Sequence, residues 1–404
     1  MHYLFVLGRN QDLSIAELKS VFRQEALPYK LIQSSKEIAL VESKDDLDIQ
    51  ILNKTLGGIV KIGRVIKEVP LEEKLKNIFS NDILVELFGD CTGKIEFGIS
   101  LYSCGGASEQ INKLFLSLED ACRAIKSKLE EAGIKSHYPQ SKEKFLSSAS
   151  VDKNNLLKNG GEILIVATQN SLLVGKTLAV QEFEKFSKRD YGRPVRDMHS
   201  GVMPPKLARI MINLAQIGKK DVLLDPFCGS GTILQESLIL GYRNVLGRDN
   251  SQKAIDDTKT NLDWLTNNTQ IANTVIDVKL GDTTRLLENI RVDSINAIVS
   301  EPYLGPTLKN RLHISEISKT LVELKNLYLL SFEQFHKVLK QNGVVVIILP
   351  AFPNYQKTIY MEIISDIESL GFKQILLSQG HRKSIIVGTR NDFVLREIVK
   401  FEKS

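Results

Sequence analysis

The chain has few of the residues that hold metals or cross-links. Its 404 residues include 4 cysteines and 6 histidines. Cys91, Cys104, Cys122 and Cys228 form no CxxC pair and no metal-ligand spacing with histidine. A zinc module and a disulfide framework are therefore not expected, no metal is assigned, and a reducing cytoplasm fits. Absent too is any apolar run of the roughly 18 residues that a membrane helix needs. The opening "MHYLFVLGRNQDLSIAEL" lacks a basic leader, which predicts no signal peptide. No Walker-type phosphate loop occurs anywhere.

What the chain does have is length and an uneven charge. At 404 residues it is too long for one ordinary core and implies two or three domains. Hydrophobic residues make up 43% and charged residues 25%, the composition of a globular protein. The net charge of +5 is concentrated in the middle. Residues 1–122 hold 14 Lys/Arg against 18 Asp/Glu, whereas residues 123–196 hold 14 against 8. A polyanion-binding surface leaves such an asymmetry, and so does a solvated lysine-rich face.

In the first half, "YLFVLG" (3–8) reads as a strand. "SIAELKSVFRQE" (14–25) reads as a helix with Ser14 as N-cap and Glu17 closing a capping box. "EDACRAIKSKLEEAG" (119–133) is a helix ending at Gly133. A basic, polar run comes next and closes with Asn-Gly-Gly before a buried strand. Gly192, Pro194 and Gly201 interrupt any regular element, which puts a domain boundary near residue 190.

From residue 203 the character changes. "PPKLARIMINLAQIG" is a helix with proline at its start and glycine at its end. Then "DVLLD" (221–225), "NVLGRD" (244–249), "VIDVKL" (275–280), "NAIVS" (296–300) and "GVVVIILP" (343–350) alternate with helix-length segments. Such alternation predicts a parallel sheet covered on both faces, a doubly wound α/β domain. "KQILLSQG" and "KSIIVGTRN" read as a closing hairpin.

"VLLDPFCGSGTILQESLILG" (222–241) is strand, glycine-rich turn and helix. Gly229 and Gly231 let the backbone approach a ligand, and the helix start offers free N–H groups. Asp225 closing the strand would repel a pyrophosphate but suits a ligand with an ammonium group, favouring S-adenosylmethionine over NAD or ATP. Asp249 ends the second strand where an acid can take ribose hydroxyls, and Asp282 comes after the third, within reach of an adenine amino group. Taken singly, each acid reads more readily as a helix cap or loop acid, but three of them closing successive strands, with a glycine-rich turn at the first, reverse that preference. Cys228 reads as a small buried filler, because no Pro-Cys motif marks it as a nucleophile.

"DPFCGSGT" resembles the first motif of class I methyltransferases that act on amino groups of nucleic-acid bases. "GRPVRDMHSGVMPPKLARIMINLAQI…DVLLDPFCGSGTILQE" resembles tRNA guanosine N2-methyltransferases, the archaeal and eukaryotic guanosine-10 enzymes in particular. The resemblance implies an α/β fold: a C-terminal Rossmann-like class I methyltransferase domain behind an N-terminal α+β module, ferredoxin-like plus THUMP. The implied bounds are 1–60 ferredoxin-like, 61–185 THUMP-like, 186–202 linker and 203–404 methyltransferase. Implied for S-adenosylmethionine are Met203 and Pro204, which close over the methionine end, with Asp225, Gly229 and Gly231 lining it. Asp249 would take the ribose and Asp282 with Thr283 the adenine, and Phe227, Thr232 and Asn250 are further implied contacts. The implied partner is tRNA, bound through Lys142, Lys144, Lys153, Lys158, Lys188 and Arg189. Eukaryotic relatives also use a small activating subunit.

At the end of the fourth strand the family carries Asp-Pro-Pro-Tyr or a close variant, and this chain has Ser300-Glu301-Pro302-Tyr303: either Ser300 replaces Asp and Glu301 the first Pro, or Glu301 replaces Asp with Tyr303 and Leu304 shifted. Methylating an exocyclic amine requires acceptors that take its hydrogens and localise its lone pair, and a ring to stack on the flipped-out base. Glu301, the neighbouring carbonyls and Tyr303 supply these. The expected activity is methylation of guanosine N2, with guanosine 10 the expected target. Two other functions share parts of the pattern: a DNA adenine or cytosine amino-methyltransferase, and a non-catalytic RNA-binding protein on a methyltransferase fold.

Overall fold

The computed structural model describes residues 1–105, 108–139, 143–196, 203–271, 274–306, 308, 310–354, 357–378, 382–389 and 391–404. The chain divides into two compact units. One comprises Met1–Ile15 and Glu25–Phe183, the other Ala16–Gln24 and Glu184–Ser404.

The described residues of the first unit form one mixed sheet of eight strands. These are β1 (His2–Leu7), β2 (Tyr29–Ser34), β3 (Ile38–Ser43), β4 (Ile59–Pro70), β5 (Ile95–Ser103), β6 (Ser136–His137), β7 (Gly160–Ala167) and β8 (Ser171–Val180). Their order is β2-β3-β1-β4-β8-β7-β5-β6. β4 pairs with β1 on one side and β8 on the other, so the sheet runs unbroken across residue 60. A buried polar knot ties the basic segment to this sheet. Lys61 donates to the Glu162 carboxylate and, at 2.6 Å, to the Leu146 carbonyl. Ser100 and Thr177 also donate to Glu162, at 2.5 and 2.7 Å. With the charge paired and every oxygen engaged, the cost of burying it is offset, and residues 144–146 are held in place.

The second unit is built on β9 (Val222–Asp225), β10 (Asn244–Asp249), β11 (Val275–Leu280), β12 (Ile295–Ser300), β13 (Leu339–Pro353), β14 (Thr358–Tyr360), β15 (Phe372–Ile375), β16 (Ile385–Val387) and β17 (Leu395–Lys403). The order is β11-β10-β9-β12-β13-β17-β15, with β14 on β13 and β16 on β17. β11, β10, β9, β12 and β13 run parallel, as the apolar strands alternating with helices predict. The chain winds outward from β9 through β10 to β11, then returns to β12 on β9's other side. That reversal makes a crevice beyond the carboxyl ends of β9 and β12, where ligands of such sheets bind.

Three local expectations are corrected. The helix holding Ser14 starts at Gln11, and Asn10 caps it by accepting from Leu13 N at 3.0 Å. Ser14 instead donates to the Gly58 carbonyl at 2.8 Å, and Glu17 accepts from Asn213 at 2.7 Å. The helix Pro205–Ala215 ends at Gln216, which takes the left-handed conformation (φ 57°) expected of a glycine. The tail is no simple hairpin: β15 and β16 both pair with β17. Charges disguise β17 in the sequence, yet Glu397, Lys400 and Lys403 are buried. Lys400 is satisfied by the Leu214 carbonyl at 2.8 Å, and Lys403 by the Leu339 carbonyl at 2.7 Å.

Fully buried Phe332, on the helix Ile314–Val338, anchors one face of this sheet. Its ring lies 5.2–5.4 Å from those of Phe335, Phe372 and Phe401, tilted or edge-on as ring quadrupoles prefer. Phe332→Ala is expected to cost about 3–5 kcal/mol of folding stability, measured by denaturant unfolding. A cost below about 1 kcal/mol would show that this cluster does not anchor the sheet.

Candidate active site

The glycine-rich turn after β9 is shaped by backbone conformations that side chains resist. Gly229 has φ 54° and Gly231 φ 81°. A Cβ at Gly229 would meet nothing within 4 Å, whereas one at Gly231 would come within 2.9 Å of Thr258. The turn is thus packed on one side and open on the other. Thr258 Oγ1 donates to the Gly229 carbonyl at 2.6 Å, and Asn261 to the Ser230 carbonyl at 2.9 Å. Both lie on the helix Gln252–Asn268. Cys228 is buried within the turn. Burial, with the charges of Asp225 and Asp249, pushes its thiol well above the ordinary range, which suits a filler and not a nucleophile.

The carboxyl ends of β9 and β12 meet through their last residues. Ser300 Oγ donates to Asp225 Oδ1 at 2.6 Å, and both side chains are buried. Phe227 N donates to the same oxygen at 3.2 Å. Burial raises the Asp225 carboxyl to about 7 against these two hydrogen bonds, with smaller contributions from the Asp249 and Glu301 charges. Asp249 braces the turn, accepting from Gly229 N at 3.0 Å on one oxygen and from Ser251 N at 3.0 Å on the other. Neighbouring Asn250 is exposed. Asp282 Oδ1 caps the next turn, accepting from Thr284 N and Oγ1, each at 2.8 Å. The buried Thr283 hydroxyl has no partner among the described residues. Met203 is buried and Pro204 caps the helix Pro205–Ala215 from an exposed position.

Beyond β12 the chain turns through Glu301, Pro302 and Tyr303. Glu301 Oε1 accepts from Arg396 Nε at 2.6 Å. Pro302 is buried, while Tyr303 is 56% exposed, its ring free to stack. Its carbonyl accepts from the buried Tyr328 hydroxyl at 2.8 Å. Neither Arg396 nor Tyr328 carries a motif, and only the path of β17 and of the helix Ile314–Val338 brings them here.

The chain is similar to known proteins. The model of an RMKL-like methyltransferase domain matches residues 193–370, and a DNA methylase model matches residues 42–260. The chain is 30% identical over 144 residues to the probable tRNA (guanine(10)-N2)-dimethyltransferase of Methanothermococcus thermolithotrophicus, covering 35% of this chain and 77% of that protein. It belongs to the tRNA guanine-N2 methyltransferase family. Two further relatives are named tRNA (guanine(10)-N2)-dimethyltransferase. That of Methanocaldococcus jannaschii is 31% identical over 49% of this chain, which spans about half (52%) of the relative's length. That of Methanothermobacter thermautotrophicus is 26% identical over 86% of this chain and 88% of its own. The crystal structure of TrmN from Thermus thermophilus covers all of both chains at 13% identity and a TM-score of 0.55, a likeness of fold.

Enzymes of this family draw their methyl group from S-adenosylmethionine, and the residues present fit it. The open side of Gly229 leaves room for a ligand against the turn. Asp225 is a buried carboxyl to which an ammonium group would restore the charge. The lysines of the tRNA guanine-N2 methyltransferase expectation divide. Lys142 lies outside the described residues. In the first unit Lys153 and Lys158 are exposed, and Lys144 donates to Asn112 at 2.7 Å. In the second, Lys188 is exposed, its Nζ 6.0 Å from the Trp264 ring centre. Arg189 is corrected. It is buried and donates from Nε to Glu236 Oε1 at 2.5 Å, so pulling it out to meet RNA would strand a buried carboxylate.

Asp225 gives the site a pH dependence. Its folded value lies above the ordinary one. Folding stability of the unliganded protein therefore falls as pH rises between about 4 and about 7, where only the unfolded chain has released the proton. A cationic ligand needs the ionised form, so S-adenosylhomocysteine binding, measured by calorimetry, is expected to strengthen roughly tenfold from pH 6 to pH 8. Asp225→Asn is expected to bind weakly at both, and a wild-type affinity that is flat across this range would remove Asp225 from the ligand.

Proposed function

We propose that this chain is an S-adenosylmethionine-dependent tRNA methyltransferase that methylates the exocyclic N2 amine of a guanosine, guanosine 10 as the relatives' names indicate. The observation that carries the reading is the Arg396-held Glu301 beside exposed Tyr303, one residue beyond the Ser300–Asp225 pair at the switch point. The first unit, read as ferredoxin-like (1–60) plus THUMP (61–185), binds tRNA, and residues 186–202 link it to the catalytic domain 203–404. A small activating subunit and a cytoplasmic setting belong to the same reading. Among the described residues no helix is long and apolar enough to cross a membrane.

The cofactor supplies an electrophilic methyl group on sulfur. The rest falls to the chain. Tyr303 stacks on the flipped guanine and fixes its plane. Glu301 accepts a hydrogen of N2, concentrating its lone pair toward the incoming carbon, and takes up the proton that the methylated nitrogen releases. Arg396 restricts Glu301 to one rotamer through Oε1 and leaves Oε2 for the substrate. Asp225, Gly229, Gly231 and Thr232 would form the floor for the cofactor's methionine end, and Met203, Pro204 and Phe227 would cover it. Asp249, Asn250, Asp282 and Thr283 would flank the ribose and adenine, with the Thr283 hydroxyl, which has no partner among the described residues, as a donor.

Mass mapping of nucleosides after incubating tRNA with protein and S-adenosylmethionine tests the reading, with N2-methylguanosine as the expected product. Transfer to no tRNA would overturn it, and transfer to duplex DNA in competition would favour the DNA amino-methyltransferase alternative. Glu301→Ala should lower kcat at least roughly 100-fold while S-adenosylhomocysteine affinity changes less than about threefold. Loss of cofactor affinity instead would put Glu301 in the wrong pocket. Lys153→Ala with Lys158→Ala should weaken tRNA binding and reduce the log–log salt slope by about 1 to 2. An unchanged slope would move the RNA surface elsewhere.

A further inference from the structure

Arg193 is a buried guanidinium with three of its five N–H donors unused among the described residues. It is 4% exposed. Nη1 donates to Thr232 Oγ1 at 2.6 Å, and Thr232 is the first residue of the helix Thr232–Ile239 that succeeds the glycine-rich turn. Nε and Nη2 have no partner among the described residues. Those two N–H groups lie on one edge of the guanidinium and point the same way, the fork that grips both oxygens of a carboxylate.

The same unit shows what that edge does elsewhere. Arg189 places Nε and Nη2 on the two oxygens of Glu236, at 2.5 and 3.4 Å. Arg382 does the same to Glu397, at 2.8 and 3.4 Å. Among the described residues the nearby carboxylates are otherwise engaged. Glu236 is shared between Arg189 and Arg209, whose Nη2 lies 2.7 Å from it, and Asp190 faces Arg196 at 3.8 Å. Arg193 also sits at a helix N-terminus whose own partial charge is positive and whose cap, Gly231, offers no side-chain acceptor. Burying an unpaired cation against a positive helix end is costly unless an anion joins them. Burial accordingly pushes the Arg193 pKa down, with the Asp190 and Glu236 charges opposing it.

We infer that Arg193 binds the carboxylate of the cofactor's methionine moiety through Nε and Nη2, with Thr232 fixing the guanidinium through Nη1. S-Adenosylmethionine carries one carboxylate, and the glycine-rich turn adjoins Thr232. The inference rests on the cofactor assignment. An RNA phosphodiester is a poorer fit, because so deeply buried a group is out of reach of a polymer backbone. Asp225 and Arg193 then divide the amino-acid end of the ligand, one facing the ammonium and the other the carboxylate.

Calorimetry with S-adenosylmethionine and its decarboxylated form, which differ only in this group, tests the assignment. Wild type should bind the carboxylate-bearing ligand roughly 10- to 100-fold more tightly. In Arg193→Met the ratio should fall below about threefold, with the decarboxylated ligand bound as in wild type. Arg193→Lys, which keeps the charge and loses the fork, should be intermediate; it carries the test if the methionine variant does not fold. Equal weakening of both ligands would reduce Arg193 to a structural role, and unchanged S-adenosylmethionine affinity would overturn the inference outright. So would loss of tRNA affinity alone. Failure of wild type to bind either ligand would instead overturn the cofactor assignment.

Discussion

The site depends on one hydrogen bond, from Ser300 to Asp225. It joins the last residues of β9 and β12, the two strands between which the sheet reverses its winding. Both side chains are buried, so the bond is strong and its loss would leave an unsatisfied polar group in the interior. The glycine-rich turn after Asp225 and the Glu301-Pro302-Tyr303 turn after Ser300 are thereby fixed relative to each other. The two turns proposed to hold cofactor and substrate meet at a point only two residues wide.

Around that point most acidic groups are already engaged by the protein. Asp249 spends both oxygens on backbone N–H groups, one of them from Gly229 in the turn. Asp282 spends one on a cap. These bonds fix the shape of the loops, and a fixed loop spares binding energy otherwise used to order it. They also sharpen the roles. A carboxylate that accepts from the backbone can still face a ribose with its remaining lone pairs, but it cannot swing to track one. Thr258 and Asn261 complete the brace from the adjoining helix.

Much of this was legible in sequence. Apolar runs ending in acids, with glycines after the first, mark strand ends and a ligand turn through their own chemistry, and the parallel core formed where they stood. What stayed hidden depends on tertiary partners. Nothing in the charged "LREIVKFEK" marks β17 as an interior strand, yet its lysines reach backbone carbonyls and its Glu397 meets Arg382 at 2.8 Å. Arg189 sits in a basic run and looks like an RNA contact, but Glu236, 47 residues on, takes it into the interior. Ser14 matches a capping pattern that Asn10 satisfies first. Each misreading assigned a polar side chain to solvent or to its own backbone when a distant group had the stronger claim.

The same electrostatics bear on the register in which Ser300 stands for the aspartate of Asp-Pro-Pro-Tyr. An aspartate at position 300 would set a second carboxylate against buried Asp225, whose carboxyl burial already lifts to about 7. Two carboxyl groups at hydrogen-bond distance in a poorly solvated spot cannot both ionise, so one of them would hold a proton. Serine removes the conflict by donating instead of competing. The negative charge reappears one residue later, at Glu301, where Arg396 on β17 pairs with it at 2.6 Å. The charge of Glu301 is still felt at Asp225, but only as the weakest of the contributions that raise it. Moving the anion by one position and supplying a cation from a strand far along the chain separates two carboxyl groups that the strand ends would otherwise force together, and leaves each free to face a different ligand.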